Sequence, residues 1–132
     1  MVKPDGTERQ LSGRILSRLE ESGFHLLGLK LIRFTPERAR KFYAVHEGKP
    51  FLADLVEFMC SGPVTVVALE KRNAIADLRT LVGATDPAQA DCGTIRSVWG
   101  LDKGKNTVHA SDSVENGRSE VAFHFSAEEL VG

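Results

Sequence analysis

The sequence predicts an α+β sandwich, with helices laid on one face of a sheet in a split β-α-β type arrangement. Three observations predict it. Val64-Thr65-Val66-Val67-Ala68-Leu69 is β-branched and nearly uncharged, the pattern of a buried strand. Apolar residues at helical spacing flank it, with Leu11, Ile15, Leu16 and Leu19 before and Ile75, Leu78, Leu81 and Val82 after. The elements read as strand stub, helix, strand, helix, strand, helix, loop and strand.

In chain order, Met1 and Val2 leave almost no strand before a turn built on Pro4, Asp5 and Gly6. A helix is predicted over 10–21, stopped by Gly23. Residues 24–33 read as a strand whose polar residues are sparse until its end. Thr35-Pro36-Glu37 is a helix-start signal, Thr35 as N-cap and Pro36 in the first helical position. That helix carries Ala39, Phe42, Tyr43 and Val45 and breaks at Gly48-Lys49-Pro50. Residues 51–60 space Leu52, Leu55, Val56 and Met59 for one helical face, ended by Gly62-Pro63. Asn73 is placed to cap the next helix, which ends at Gly83. From Ala84 to Asn106 periodicity fades, and a loop of that length in one domain points to function. A short helix is expected around 114–118, then a half-buried strand over Glu120–Phe125, where Val121, Phe123 and Phe125 alternate with polar or small residues.

A chain of 132 residues fits one domain over 1–132, long enough to bury a core. A net charge of −1 gives no overall drive toward nucleic acid or an anionic membrane. Nucleic-acid binding through the sheet would need exposed strand aromatics and a basic face, and the pattern offers neither. No apolar run approaches the roughly 20 residues of a membrane helix, and no long apolar leader opens the chain. Cys60 and Cys92 form neither a disulfide scaffold nor a CxxC metal site. A cytoplasmic protein is expected.

The chemistry centres on Asn106-Thr107-Val108-His109-Ala110-Ser111-Asp112-Ser113. Small neighbours let another molecule approach the imidazole, and hydroxyls and a carboxylate can fix its tautomer. Such a histidine serves as acid/base, metal ligand or nucleophile; equally, Ser111-Asp112-Ser113 can be a plain helix cap. Nearby, Arg79 and Arg96 offer planar forks for phosphate oxygens, Thr85 a hydroxyl and Lys3 a point charge. Together they suggest polyphosphate chemistry, although no GxxxxGK[ST] or GxGxxG loop is present.

The motifs carrying the resemblance run in order: Lys3-Pro4-Asp5-Gly6, Phe42-Tyr43, Lys49-Pro50-Phe51, Leu55-Val56, Ser61-Gly62-Pro63-Val64 and Asn73-Ala74. Arg79-x-Leu81-x-Gly83-Ala84-Thr85-Asp86-Pro87, Gly93-Thr94-Ile95-Arg96 and Asn106-x-x-His109-x-Ser111-Asp112-Ser113 complete the series. The chain resembles the nucleoside diphosphate kinase family over almost its whole length. The resemblance implies a ferredoxin-like fold with a four-stranded antiparallel sheet covered by helices. It implies ping-pong transfer of the γ-phosphate of ATP or another triphosphate to a diphosphate through a phosphohistidine at His109 Nδ1. Glu120 would accept a hydrogen bond from the other ring nitrogen, supported by Ser111. Lys3 and Asn106 would reach sugar hydroxyls, Tyr43, Arg79, Thr85 and Arg96 the phosphate region, and Phe51 would stack on the base. Mg²⁺ would be held mainly by the nucleotide phosphates, with no protein metal site. A homotetramer or homohexamer is implied, with no membrane or nucleic-acid partner. The competing reading is an inactive member that binds nucleotides or acts through its surface.

Several departures accompany the resemblance. Only Met1 and Val2 precede Lys3, so the first strand is expected to be cut short, by truncation or by a start assigned downstream. Lys103 stands where relatives place an apolar residue against the base, Leu52 follows Phe51 where a second Phe is common, and Cys60 precedes Ser61-Gly62-Pro63.

Overall fold

The computed structural model describes residues 1–132 and contains two strands, seven α-helices and three short 3-10 turns. Helix α1 spans Pro4–Glu8 and α2 Ser12–Glu21. Strand β1 spans His25–Ile32 and pairs antiparallel with β2, Val64–Glu70, Ile32 opposite Val64 and a register shift lying between Leu26 and Gly28. Between them come α3, Pro36–Phe42, and α4, Leu52–Met59. Helices α5, Ala74–Val82, α6, Ile95–Trp99, and α7, Val114–His124, follow β2.

The local signals explain most boundaries. Thr35 Oγ1 accepts from the Arg38 amide at 3.2 Å and Pro36 opens α3. Gly83 ends α5 with φ +90°, a conformation that costs glycine little. Asn73 sits at the head of α5 in the left-handed region and caps through no side-chain bond, so its service is conformational.

Two expectations fail at the chain's ends. Pro4-Asp5-Gly6 begins a helix, not only a turn, because proline in the first helical position needs no amide hydrogen bond. Glu120–Phe125 is no strand: α7, capped when Ser113 Oγ accepts from the Asn116 amide at 3.0 Å, runs unbroken to His124. Three alternating apolar residues were too few to outweigh a capped helix already two turns long. The "loop" after Ala84 holds a 3-10 turn, Pro87–Gln89, and α6, which Thr94 caps by accepting from Ser97 N.

The sheet itself has two strands, not four. What would be the remaining pair survives as single antiparallel bridges, Val2 to Thr65 and Val2 to Val108. Their order is β1, β2, Val2, Val108. Val2 reaches across with two hydrogen bonds to Thr65, of 2.7 and 3.1 Å. Pro4 then turns the chain into α1, which ends that ladder at once.

Apolar clusters pack on both sides of the sheet, where helices on one face were expected. Val64, Val66 and Ala68 join Ala39 and Tyr43 of the α3 end, Val56 and Met59 of α4, and Phe125. Val2, Val108 and Ala110 join Ile15 and Leu19 of α2, Val82 of α5 and Ile95 of α6, with Leu69 packed against them. A strand with apolar residues on both sides of its pleat is buried twice, which is why Val64–Leu69 shows no polar alternation. The histidine segment 106–110 lies at the seam. No helix is long and apolar enough to cross a membrane.

Candidate active site

The bridge to Val2 fixes where His109 stands. Lys3 N donates to Thr107 O at 2.8 Å and His109 N to Met1 O at 2.9 Å, so the octet is tied to the sheet from both sides of Val108. The turn into it is forced: Thr107, fully buried, has φ +76°. For a β-branched residue this is a strained conformation costing about 1–3 kcal/mol, held only where surroundings dictate it. Sequence spacing gave no sign of it.

The imidazole is a quarter exposed, as is Glu120. His109 Nε2 and Glu120 Oε1 are 2.5 Å apart, and Ser111 Oγ donates to the same oxygen at 3.1 Å. Helix α7 is what delivers Glu120. Assigned from this network, the proton rests on Nε2 and donates to the carboxylate, leaving Nδ1 with its lone pair and no protein hydrogen bond. Burial lowers the His109 pKa below the usual histidine value, opposed by the Glu120 bond and charge. For Glu120, burial pushes upward, but the His109 and Ser111 bonds and the His109 charge outweigh it, and the carboxyl sits below its ordinary value. The site therefore favours neutral imidazole against ionised carboxylate.

Cationic groups bracket the ring. Arg96, buried in α6, donates from Nη2 to Val108 O at 2.8 Å and from Nη1 to Gly83 O at 3.0 Å, while its buried Nε has no partner. Arg79 Nη1 reaches Ala110 O at 3.4 Å. The two guanidiniums thus grip the carbonyls on either side of His109. Burial, aided by the Arg79 charge, brings Arg96 down to about 10. Lys3, also buried, donates from Nζ to Asn106 Oδ1 at 2.8 Å and to Gly104 O at 3.4 Å; burial and then Arg96 lower it to about 8. Asn106 Nδ2 donates to Thr85 O at 2.9 Å.

Aromatic rings close the other side. The Phe42 ring meets the imidazole edge-on at 5.5 Å and Tyr43 at 6.5 Å. Tyr43 Oη is buried without a partner. His46 stacks on Tyr43 at 6.0 Å and meets Phe51 edge-on at 5.0 Å, so Phe51, half exposed, stands at the outer end of a ladder of rings.

The structure therefore brings together His109, Glu120, Ser111, Arg79, Arg96, Lys3 and Asn106, with Tyr43 against them. Thr85 joins through its carbonyl, its hydroxyl making no protein hydrogen bond, and Phe51 lies outside the cluster. Phe42 was visible only as a neighbour of Tyr43, and its place on the imidazole was missed. Lys103 is exposed in the Asp102–Lys105 turn. No group of His, Cys, Asp and Glu side chains could hold a metal ion. Apart from Glu120, which His109 and Ser111 engage, the donors that converge here are cations and amides, which suit phosphate oxygens.

A family model described as "Nucleoside diphosphate kinase" matches residues 1–130. Curated proteins of that name are similar along the chain: one from Chlorobium limicola is 53% identical over 131 residues, covering 99% of this chain and 94% of its own. Another from Herpetosiphon aurantiacus is 52% identical, with 99% and 88% covered. Among solved structures, the Aquifex aeolicus nucleoside diphosphate kinase superposes with a TM-score of 0.96 at 47% identity, covering 98% of this chain and 94% of that one. The halophilic nucleoside diphosphate kinase of Halobacterium salinarum in complex with CDP gives 0.95 at 44%, with 99% and 88% covered.

Proposed function

The chain belongs to the nucleoside diphosphate kinase family, and from that premise we propose how its own residues carry the reaction, phosphotransfer from a nucleoside triphosphate to a nucleoside diphosphate. The fold is the α+β, ferredoxin-like one of the family's structures; we propose that Val2 and Val108 stand for the edge pair of its four-stranded sheet.

One observation carries the mechanism: His109 Nε2 is engaged by Glu120 while Nδ1 has no protein hydrogen bond, and two arginines bind the backbone carbonyls of the residues on either side. Nδ1 attacks the γ-phosphorus of a bound triphosphate. The bond from γ-phosphorus to the β–γ bridging oxygen breaks, and the diphosphate leaves with that oxygen and its electrons. A second diphosphate then attacks the same phosphorus through a terminal β-oxygen, the N–P bond breaks, and neutral His109 returns. Splitting transfer into two steps lets one pocket serve both partners. Glu120 stabilises the positive charge that develops on the ring, with Ser111 steadying the carboxylate. Arg79, Arg96 and Thr85 take the phosphates, Tyr43 borders the transferring group, Lys3 and Asn106 take the ribose hydroxyls, and Phe51 stacks on the base, where any base offers a π-face.

The family's activity depends on a divalent cation. We propose Mg²⁺, arriving on the phosphates as part of the substrate, since the protein's donors here are cations and amides. The ion neutralises charge on the phosphate oxygens. We further propose that copies assemble as a homotetramer or homohexamer, readable by analytical ultracentrifugation. Two free thiols, Cys60 and Cys92, accord with a cytoplasmic setting.

The test is direct. Incubation with γ-labelled ATP and Mg²⁺ yields acid-labile, base-stable label on the protein, which a diphosphate discharges, and none on folded His109→Ala. A folded wild type that takes no label would mean an inactive, nucleotide-binding member instead.

A further inference from the structure

We propose that Phe42 is a positioning residue for His109: its ring sets the plane of the imidazole, and so the direction in which Nδ1 points. The inference rests on the reading of His109 as phosphoryl acceptor, and concerns what aims its lone pair.

A nitrogen attacks along its lone pair, and the lone pair of Nδ1 lies in the plane of the ring. That plane must therefore contain the line to the phosphorus. Rotation about the bond from Cβ to the ring turns the plane, and torsions of this kind have broad wells that do not fix a ring by themselves. The polar contacts do not settle it either. Glu120 Oε1 secures a single ring atom, Nε2, and Ser111 Oγ steadies only the carboxylate. One hydrogen bond tolerates a spread of angles about its axis.

Packing supplies the missing constraint. The Phe42 ring stands 5.5 Å from the imidazole with the two planes at 74°, a tilted arrangement that aromatic pairs prefer. Tyr43 lies further off, at 6.5 Å. Phe42 is braced in its turn. The rings of Tyr43, His124 and Phe123 lie 5.0, 5.1 and 5.3 Å from it, and that of Phe34 6.0 Å. Arg38 of α3 lies over the Phe123 ring at 4.6 Å and donates from Nη2 to Phe123 O at 3.3 Å, tying the end of α7 to α3.

The two constraints on His109 share one support. Glu120, Phe123 and His124 are three and four residues apart on α7, and so lie on one face of it. The helix that brings a carboxylate to Nε2 thus also backs the ring that sets the plane. Phe42 lines the same apolar cleft as His109 and Glu120, so loss of its ring opens free space beside the imidazole. Because Phe42 is only partly buried, an aliphatic side chain there keeps most of the apolar contact and removes the ring alone.

The experiment uses the whole chain with Phe42→Leu, Phe42→Met and Phe42→Tyr. It follows the single-turnover rate of His109 labelling by MgATP, the KM for the triphosphate, and NMR of the His109 imidazole, where ¹⁵N shifts report the tautomer and ¹³C relaxation the motion of the ring. Leucine and methionine offer no ring plane, so both variants slow labelling by about tenfold or more while KM changes less than about threefold. Both keep the Nε2–H tautomer, because Glu120 is untouched, but their imidazole gains fast motion. Phe42→Tyr keeps the ring, labels within about threefold of wild type and holds the imidazole rigid. If one aliphatic variant does not fold, the other carries the test. A folded Phe42→Leu or Phe42→Met that labels at the wild-type rate overturns the proposal. So does a slow variant whose imidazole stays as rigid as in wild type or has lost the Nε2–H tautomer, and so does Phe42→Tyr as slow as Phe42→Leu. Ring relaxation needs no turnover, so a wild type that takes no label would count against the phosphohistidine reading alone.

Discussion

At the scale of single residues, the site works by keeping two neighbouring groups in opposite charge states. Burial lowers the His109 pKa, and its histidine bond keeps Glu120 ionised. The sign follows: only neutral imidazole attacks phosphorus, and its folded pKa lies below the ordinary 6.5. The acid limb of single-turnover labelling therefore has its midpoint below pH 6.5. Glu120→Gln removes the charge that stabilises the ring as it becomes positive. Labelling of that variant slows by about 100-fold, and its acid limb moves lower still, because a neutral amide holds a ring proton less firmly than a carboxylate. A limb that moves upward in Glu120→Gln would refute this division of roles. Residue by residue, the cluster was legible in the sequence because Asn106, His109 and Ser111 lie within one short stretch. Thr107 was not, because its left-handed backbone depends on packing against Gly6, about a hundred positions away.

At the scale of elements, what could be read was set by how local the cause was. Helix α3 carries its own start signal in Thr35-Pro36, and β2 its own apolar run, so both stand where the pattern puts them. Helix α7 was misread because its last turn is apolar on the side facing Phe34, Phe42 and the sheet, and a helix tail packed on aromatics can mimic strand alternation. The same packing gives His124 an unusual setting. Its ring lies 5.0, 5.1 and 5.7 Å from those of Phe123, Phe42 and Phe34, and its buried Nε2 has no partner. Burial, with cationic neighbours including Arg38, lowers its pKa to about 4, against the pull of Glu120. An unfolded chain binds this proton near 6.5 and the folded one only near 4, so the unfolded state is favoured as pH falls between those values. The His124 contribution to stability, read from denaturant titrations, is thus level above pH 6.5 and declines below it. His109 contributes in the same direction, so the comparison is with His124→Phe. That variant has a shallower decline over pH 6.5 to 4, and one as steep as wild type would show that His124 is not its source.

At the scale of the molecule, no single element owns the site. Lys3 comes from the first turn of the chain, Tyr43 from the end of α3, Arg79 from α5, Arg96 from α6, and Glu120 from α7, and only the bridges through Val2 bring them into register. A ligand gripped by all of them ties the chain's two apolar clusters together, and binding to the folded state alone raises stability in proportion to occupancy. At a concentration about 100 times Kd the gain is about 2.7 kcal/mol, or roughly ten degrees in Tm for a chain of this size. Thermal melts with ADP and Mg²⁺ should reach that range. His109→Ala should keep most of the shift, because the cations and Phe51 remain. Arg79→Ala, whose exposed guanidinium makes a single long protein bond, should lose much of it while leaving the unliganded Tm within about a degree, as surface substitutions usually do. Chelating the divalent ion should shrink the shift, since bare phosphate charges then repel one another in the site. A shift untouched by Arg79→Ala and by chelation alike would mean that the nucleotide binds somewhere other than between these arginines and His109.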